Sequence, residues 1–339
     1  MKQKFKVFFI VIVGLFFFVV GFYFWASSPN LSLKDYNVTG QYDLDTSSQI
    51  NDSIHSVLTY NIGYLSGMSN NLPVQNSRSL FEENLNKVIY ELKKADADIL
   101  ALQEIDYGSK RSYYYDQQKE LGKLGYTYYG QNINWDKKYV PFPYYPLSVH
   151  FGKILSGQSV LSKYPITELE RIELKRNASN PFYYDSFYID RLAQVAKIKI
   201  NSKTLILINV HLEAYDRETR KLQMQQVKNL YIKYYKDFPT ILLGDFNSDI
   251  KFEEAAIKMI MKIPETGCAA FDTSVQQNTF NSKSPTQRLD YIFYNKSYIK
   301  ELDAEILKQF GMASDHLPLQ LKFKFKDQLY ANSRPQPDS

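Results

Sequence analysis

Residues 7–26 run for twenty positions without a charge, and no other feature limits the folding of this chain as strongly. As a helix rising ~1.5 Å per residue the run would be about 30 Å long, the hydrocarbon thickness of a bilayer. Lys2, Lys4 and Lys6 precede it and no basic residue follows until Lys34. The positive-inside rule then places the N-terminus in the cytoplasm and the rest of the chain across the membrane. Tyr23 and Trp25 fall where an outer aromatic belt belongs. A signal peptide cleaved near Ala26-Ser27-Ser28 is the competing reading, although its apolar region is usually about 7–15 residues long. Either reading exports residues 31–339, and the anchor reading makes this a single-pass membrane protein with an extracytoplasmic body.

The sequence divides into four parts: residues 1–30 as anchor or signal segment, 31–54 as a Ser-, Asn- and Asp-rich linker, 55–326 as one large α/β domain, and 327–339 as a polar tail. The whole chain is 44% hydrophobic and 23% charged, which excludes a disordered, collagen-like or coiled-coil body. Three of its five net positive charges belong to the lysines before the apolar run, so the remainder carries about +2 and lacks the footprint of a strong polyanion binder. The lone Cys268 excludes an internal disulfide and a multi-cysteine metal site.

Strand-like runs lie at 57–62, 98–103, 192–200, 205–210, 240–243, 289–294 and 317–325, with further strands around Val160, Leu161 and Ile166. Residues 201–203 turn between the third and fourth runs. Phe81, Leu85, Val88, Ile89 and Leu92 share one helical face, and Val227, Leu230, Tyr231 and Tyr234 mark another helix. Strict β-α alternation is missing, which favours packed sheets flanked by helices over a doubly wound fold. Residues 132–156, with Pro141, Pro143 and Pro146 among aromatics, read as one long irregular loop.

Polar residues stand where several of these runs end or bend: Asn61, Glu104, His211, Asp245 with Asn247, Asp290, and Asp315-His316. Strand ends on one rim of a sheet are where a scaffold presents a site. Taken singly, each could be a turn residue or a solvated side chain. Together they make one chemistry. The oxygens of Asn61, Glu104 and Asp315 are hard ligands suited to Mg²⁺ or Mn²⁺. A hard cation, two histidines and a further aspartate suffice to polarise a phosphate ester, deliver water in line and hold the extra transition-state charge.

The motifs Tyr60-Asn61-Ile62, Gln103-Glu104, Asn209-Val210-His211-Leu212, Gly244-Asp245-Phe246-Asn247-Ser248, Leu289-Asp290-Tyr291-Ile292 and Ser314-Asp315-His316-Leu317-Pro318 occur in an order that resembles the endonuclease/exonuclease/phosphatase superfamily. That superfamily includes pancreatic-type deoxyribonucleases and neutral sphingomyelinases. The resemblance covers about residues 55–326 and implies a four-layer α/β sandwich, two mixed β-sheets packed face to face with helices outside. By the same resemblance Glu104 is the principal metal ligand, with Asn61 and Asp315 close to metal or phosphate. Asp245 would orient or deprotonate the attacking water, and Asn247 would contact the phosphate. His316 would bind or protonate the scissile phosphate, Asp290 would orient it, and His211 is a candidate acid for the leaving group. Which histidine acts as acid stays open, since an unperturbed imidazole serves either role.

Departures from the family patterns narrow the choice. Leu243 precedes the Gly-Asp motif and Ser248-Asp249 follows it, unlike inositol 5-phosphatases. Glu213 replaces the glutamine that sphingomyelinases usually carry there, which weakens the lipid assignment. Arg191, Arg217 and Arg220 read as salt-bridge or helix-face residues. The expectation is a monomeric, membrane-anchored, Mg²⁺-dependent phosphoric ester hydrolase acting on phosphodiesters such as phospholipid headgroups or small esters. The alternatives are an exported nuclease acting on DNA or RNA and a non-catalytic binding module on the same scaffold.

Overall fold

A computed structural model describes residues 2–43, 53–70, 72–271 and 277–326; the polar tail at 327–339 and most of 44–54 lie outside them. Thirteen strands are present among the described residues: β1 (Asn37–Gln41), β2 (His55–Asn61), β3 (Ile99–Asp106), β4 (Tyr128–Val140), β5 (Gly152–Ser162), β6 (Ile166–Glu173), β7 (Leu192–Ile200), β8 (Lys203–His211), β9 (Thr240–Asp245), β10 (Thr266–Cys268), β11 (Asp290–Asn295), β12 (Ile299–Ile306) and β13 (Leu319–Phe325). The helices are α1 (Lys2–Ser27), α2 (Arg78–Ala95), α3 (Gln117–Gly122), α4 (Phe182–Asp185), α5 (Arg217–Tyr235) and α6 (Lys258–Met261). The strands form two mixed sheets, in the orders β1-β4-β5-β3-β2-β13-β12 and β10-β11-β9-β8-β7-β6. This is the expected α/β sandwich.

Its central strands are buried on both faces because their apolar residues are nearly continuous. Val57 points into the space between the sheets with Ala101, Leu207, Leu243 and Leu321. Leu58 and Tyr60 point outward onto Phe81, Leu85 and Val88 of α2. The second sheet repeats the arrangement, with Ile206 and Ile208 turned outward onto Met224, Val227 and Tyr231 of α5. In each sheet one parallel pair, β2 with β3 and β8 with β9, is bridged by its helix. Parallel pairing needs such a crossover, and it carries both ends of the pair to the same rim.

Two sequence expectations differ from the structure. Residues 132–156 are mostly the ends of β4 and β5, leaving a true loop only at 141–151. Buried Asn132, Asn134 and Asp136 interrupt the apolar pattern of β4 and hid it. Within the segment read as a linker, Asn37–Gln41 pair antiparallel with β4 and extend the first sheet. The strand β12 was not anticipated either, because only Ile299 in it is buried and most of its exposed residues are charged.

A polar layer lies between the sheets just beneath the rim. Gln103 Nε2 donates to Asn209 Oδ1 at 2.6 Å and to Thr59 Oγ1 at 3.1 Å. Asn209 Nδ2 donates to Leu102 O at 3.2 Å and to Gln194 Oε1 at 3.0 Å, which ties the two sheets in one register. Removing Asn209 takes the donor from Gln194 Oε1 and one acceptor from Gln103 Nε2 in a buried layer, so Asn209→Leu is expected to destabilise the domain by about 2–4 kcal/mol. A denaturant titration checks this, and a change under about 0.5 kcal/mol would show the layer to be dispensable.

Candidate active site

The site is built on strand ends whose backbone is bent to expose them. In β3 a bulge between Leu102 and Ile105 interrupts the pairing with β5, and Glu104 sits in it at φ 51°. The bulge turns the Glu104 side chain off the sheet and onto the rim. Gly157, which pairs with Ile105 just past the bulge, must be glycine because β4 approaches it closely: a Cβ there would lie 1.9 Å from Asn132 O. At the end of β9, Gly244 has φ 132° and a Cβ there would meet Val210 O at 2.0 Å. That close approach of β9 to β8 sets Asp245 beside His211 and opposite Asp290, its antiparallel register partner.

All eight residues singled out in the sequence lie at this one rim. Asn61 Nδ2 donates to Asp245 Oδ2 at 3.0 Å and approaches Glu104 Oε1 at 3.3 Å. Its own Oδ1 accepts from Gly63 N at 3.0 Å, so the amide turns its nitrogen, not its oxygen, toward the carboxylates. Asn247 N donates to Asp245 Oδ1 at 2.9 Å, while Asn247 Nδ2 donates to Leu212 O at 2.9 Å. His316 Nδ1 lies 2.8 Å from Asp290 Oδ2, and its Nε2 faces Asp245 Oδ2 at 3.7 Å. Glu104, His211, Asp245, Asn247, Asp315 and His316 border a cleft of ≈ 740 Å³ that Arg217 and Tyr215 also line.

Charge separates the two histidines. Burial opposes protonation of His316, but Asp290 and Asp245 override it and hold the imidazole proton well above the ordinary histidine range. Burial and the neighbouring Arg191 act together on His211 and push it well below that range. Arg191 Nη1 lies 2.6 Å from His211 Nε2, which therefore accepts, and the histidine proton sits on Nδ1. In this arrangement His211 is a neutral acceptor, which does not suit it to the acid role the resemblance implied. Burial, partly offset by His316, pushes the Asp245 carboxyl up to about 7.

Two donor sets could hold a cation. Asp245, Asp290 and His316 have atoms within 4.8 Å of one another. Yet His316 already spends Nδ1 on Asp290 at 2.8 Å, and the imidazolium itself neutralises that group. Glu104 and Asp315 are different. Asn70 Nδ2 donates to Glu104 Oε2 at 2.9 Å and lies 3.5 Å from Asp315 Oδ1, so both carboxylates converge on one amide. Burial and then the Asp315 charge raise the Glu104 carboxyl above its ordinary range. Two hard, mutually repelling oxygens fit a divalent cation better than a hydrogen-bonded Asp–His pair does.

Sequence reasoning missed Asn70, which comes from a loop without periodic pattern, and Ser314, whose Oγ donates to Asn61 O at 2.8 Å and lies 3.3 Å from Asp315 Oδ1. Arg191 does pair with a carboxylate, Glu213 Oε2 at 3.7 Å, and is in addition buried against His211, a contact the sequence did not indicate. Arg220, read as a salt-bridge or helix-face residue, instead pins the β8–α5 loop through Glu213 O at 2.6 Å and Ala214 O at 2.7 Å.

A two-sheet sandwich carrying this rim of carboxylates, amides and histidines is the scaffold of the endonuclease/exonuclease/phosphatase hydrolases of phosphate esters. The chain belongs to the Endonuclease/Exonuclease/phosphatase family, whose model matches residues 58–316. No curated protein matches the chain in sequence. Among solved structures, the human nocturnin catalytic domain with bound sulfate is similar at a TM-score of 0.56 and 20% identity, over 86% of this chain and 98% of that one. A humanized D. rerio TDP2 gives 0.55 and 17%, over 80% and 100%. A mannosyl-6-phosphatase of Bacteroides thetaiotaomicron gives 0.56 and 16%, again over 80% and 100%. At these identities the likeness is one of fold. The helix Lys2–Ser27 is long and apolar enough to cross a membrane, with its most apolar window unburied by the domain.

Proposed function

We propose that the chain is a membrane-anchored, divalent-metal-dependent hydrolase of phosphate esters, acting on phosphodiesters by in-line attack of water, with its catalytic body extracytoplasmic. The observation that carries this is the convergence of Glu104 and Asp315 on the Asn70 amide, beside an aspartate whose proton affinity lies near neutrality. Glu104 and Asp315 would hold the divalent cation, which would supply positive charge for the phosphate ester.

The protein's own groups do the rest. Asp245 is fixed through both oxygens by Asn247 N and Asn61 Nδ2 and takes the proton of the attacking water. A pKa near the working pH suits a general base. His316, held cationic by Asp290, presents Nε2 to the phosphate and compensates its growing charge. Asn61 positions Asp245 and Glu104 by donating to both. His211, held neutral, accepts from Arg191 through Nε2 and so seats that guanidinium at the cleft, and Asn247 closes the cleft beside Asp245.

The nuclease reading depends on cations along the cleft, and most are engaged elsewhere. Arg220 holds backbone carbonyls, and Lys221 pairs with Glu218 at 3.0 Å and Glu254 at 3.3 Å. Small or lipid-borne phosphodiesters are therefore the expected substrates. A screen of the purified full chain with Mg²⁺ or Mn²⁺ against bis(p-nitrophenyl) phosphate, phospholipid, phosphomonoester, DNA and RNA tests this. Faster nucleic-acid cleavage with a steep salt dependence would replace the substrate assignment, and no hydrolysis of any ester with either metal would end the catalytic reading.

A further inference from the structure

The end of α1 is locked to the catalytic body. Ala26 is fully buried, and Tyr23 Oη lies 2.6 Å from Ser186 Oγ. The Tyr23 ring meets Phe182 and Phe187 edge-on, while Phe22 and Trp25 lie against Tyr139. Past the helix, Asp136 Oδ1 accepts from Asn30 N at 2.8 Å and from Asn30 Nδ2 at 2.6 Å. Asp136 Oδ2 accepts from Leu31 N at 2.8 Å and from Tyr36 Oη at 3.2 Å. Lys138 N donates to Ser28 O at 2.9 Å. One carboxylate thus clamps the chain where it leaves the helix, and α1 departs in a fixed direction.

It departs between two segments of unusual surface. Residues 141–151 carry no acid, lysine or arginine, and residues 177–188 carry only Asp185, which pairs with Arg176 at 2.7 Å. Together they display Tyr144, Tyr145, Leu147, Phe182 and Tyr183 to solvent, with Tyr145 83% and Phe182 75% exposed. A contiguous uncharged aromatic surface of this kind marks an interaction site. Their neighbours Tyr139, Phe182 and Phe187 meet α1 at residues 22–25, its last apolar turn. In a spanning helix that turn lies at headgroup depth, where tyrosine and tryptophan are favoured.

We propose that these two segments form a collar that docks into the headgroup layer of the bilayer α1 enters, and so hold the active-site cleft beside that surface. This rests on reading α1 as a membrane helix. Continuity with α1 and the missing charge select a lipid surface over a protein partner. The collar also reaches the cleft. Tyr184 stacks on Tyr188, and Tyr188 Oη donates to Glu213 at 2.8 Å. Glu213 in turn accepts from the backbone N of Tyr215 at 3.0 Å, and Tyr215 stands at the cleft mouth. A phosphate ester presented by the bilayer then meets the cleft without leaving the membrane surface.

The test uses the full chain reconstituted in vesicles of phosphatidylcholine and phosphatidylglycerol. Tyr145→Cys, Tyr183→Cys and, as control, Leu302→Cys on the far edge strand β12 are each labelled with an environment-sensitive fluorophore in a Cys268→Ser background. Labels at 145 and 183 should shift to the blue and be quenched more by a spin label near the lipid headgroup than by one deep in the acyl chain, and the control by neither. Labels at 145 and 183 that behave like the control overturn the collar. A second arm combines Tyr145→Ser, Phe182→Ser and Tyr183→Ser, which should lower hydrolysis of a vesicle-borne phosphodiester several-fold and leave bis(p-nitrophenyl) phosphate hydrolysis unchanged. An equal effect on both substrates, or on neither, also overturns it. Failure of the wild type to cleave either ester instead counts against the hydrolase reading, and the fluorophores still decide the docking.

Discussion

Asp245→Asn is expected to lower turnover on a soluble phosphodiester by about 10²–10⁴-fold, the usual contribution of a positioned general base. Asp245 Oδ1 accepts from Asn247 N, and Oδ2 accepts from Asn61 Nδ2 and faces Asn247 Nδ2 and the cationic His316. Every one of these neighbours is a donor. An asparagine amide must therefore oppose one of them with its own N–H, and a stability loss of about 1–3 kcal/mol should accompany the kinetic effect. Thermal unfolding of the same preparation separates the two, because a folded variant with near-normal turnover would remove Asp245 from the base role. His316→Ala is expected to cost at least ~10² in turnover by loss of charge at the phosphate.

The second large effect concerns the cation. Excess chelator should abolish hydrolysis, and Mg²⁺ or Mn²⁺ should restore it. The Glu104–Asp315 pair also predicts a readout that needs no turnover. Saturating Mn²⁺ or Mg²⁺ should raise the unfolding free energy of the wild type, by about 2.7 kcal/mol at a hundred times Kd. Glu104→Gln should erase that increment. In metal-free buffer the same substitution should change stability little, because relief of the Asp315 repulsion is offset by the amide N–H that must then oppose Asn61 Nδ2 or Asn70 Nδ2. Full activity in chelator, or an undiminished metal-induced shift in the variant, would show that the cation does not sit at this pair.

Much of this protein was legible in its sequence for a physical reason. The central strands are buried on both faces, so 98–103, 205–210 and 240–243 read as near-continuous apolar runs, and polar residues at their ends stand out against that background. Asn61, Glu104, His211, Asp245, Asp290 and His316 were found in this way. The twenty uncharged residues near the N-terminus were equally plain, because a length matched to a bilayer needs no partner to be recognised. Strands with mixed patterns were not legible: β4 buries asparagines in the polar interior, and β12 lines an edge with charge.

Tertiary structure alone decided what each rim residue faces. Nothing local says that a bulge aims Glu104 at Asp315, some two hundred residues away, or that Asn70 bridges them from an unpatterned loop. Two histidines identical in sequence terms differ in charge because Asp290 backs one and Arg191 the other. Nor does the composition of residues 28–36 reveal that Asp136 clamps them to the body. Periodicity and length are properties of the chain itself and survive in one dimension. Electrostatic environment and hydrogen-bond partnership depend on atoms that meet only after the sheets have packed.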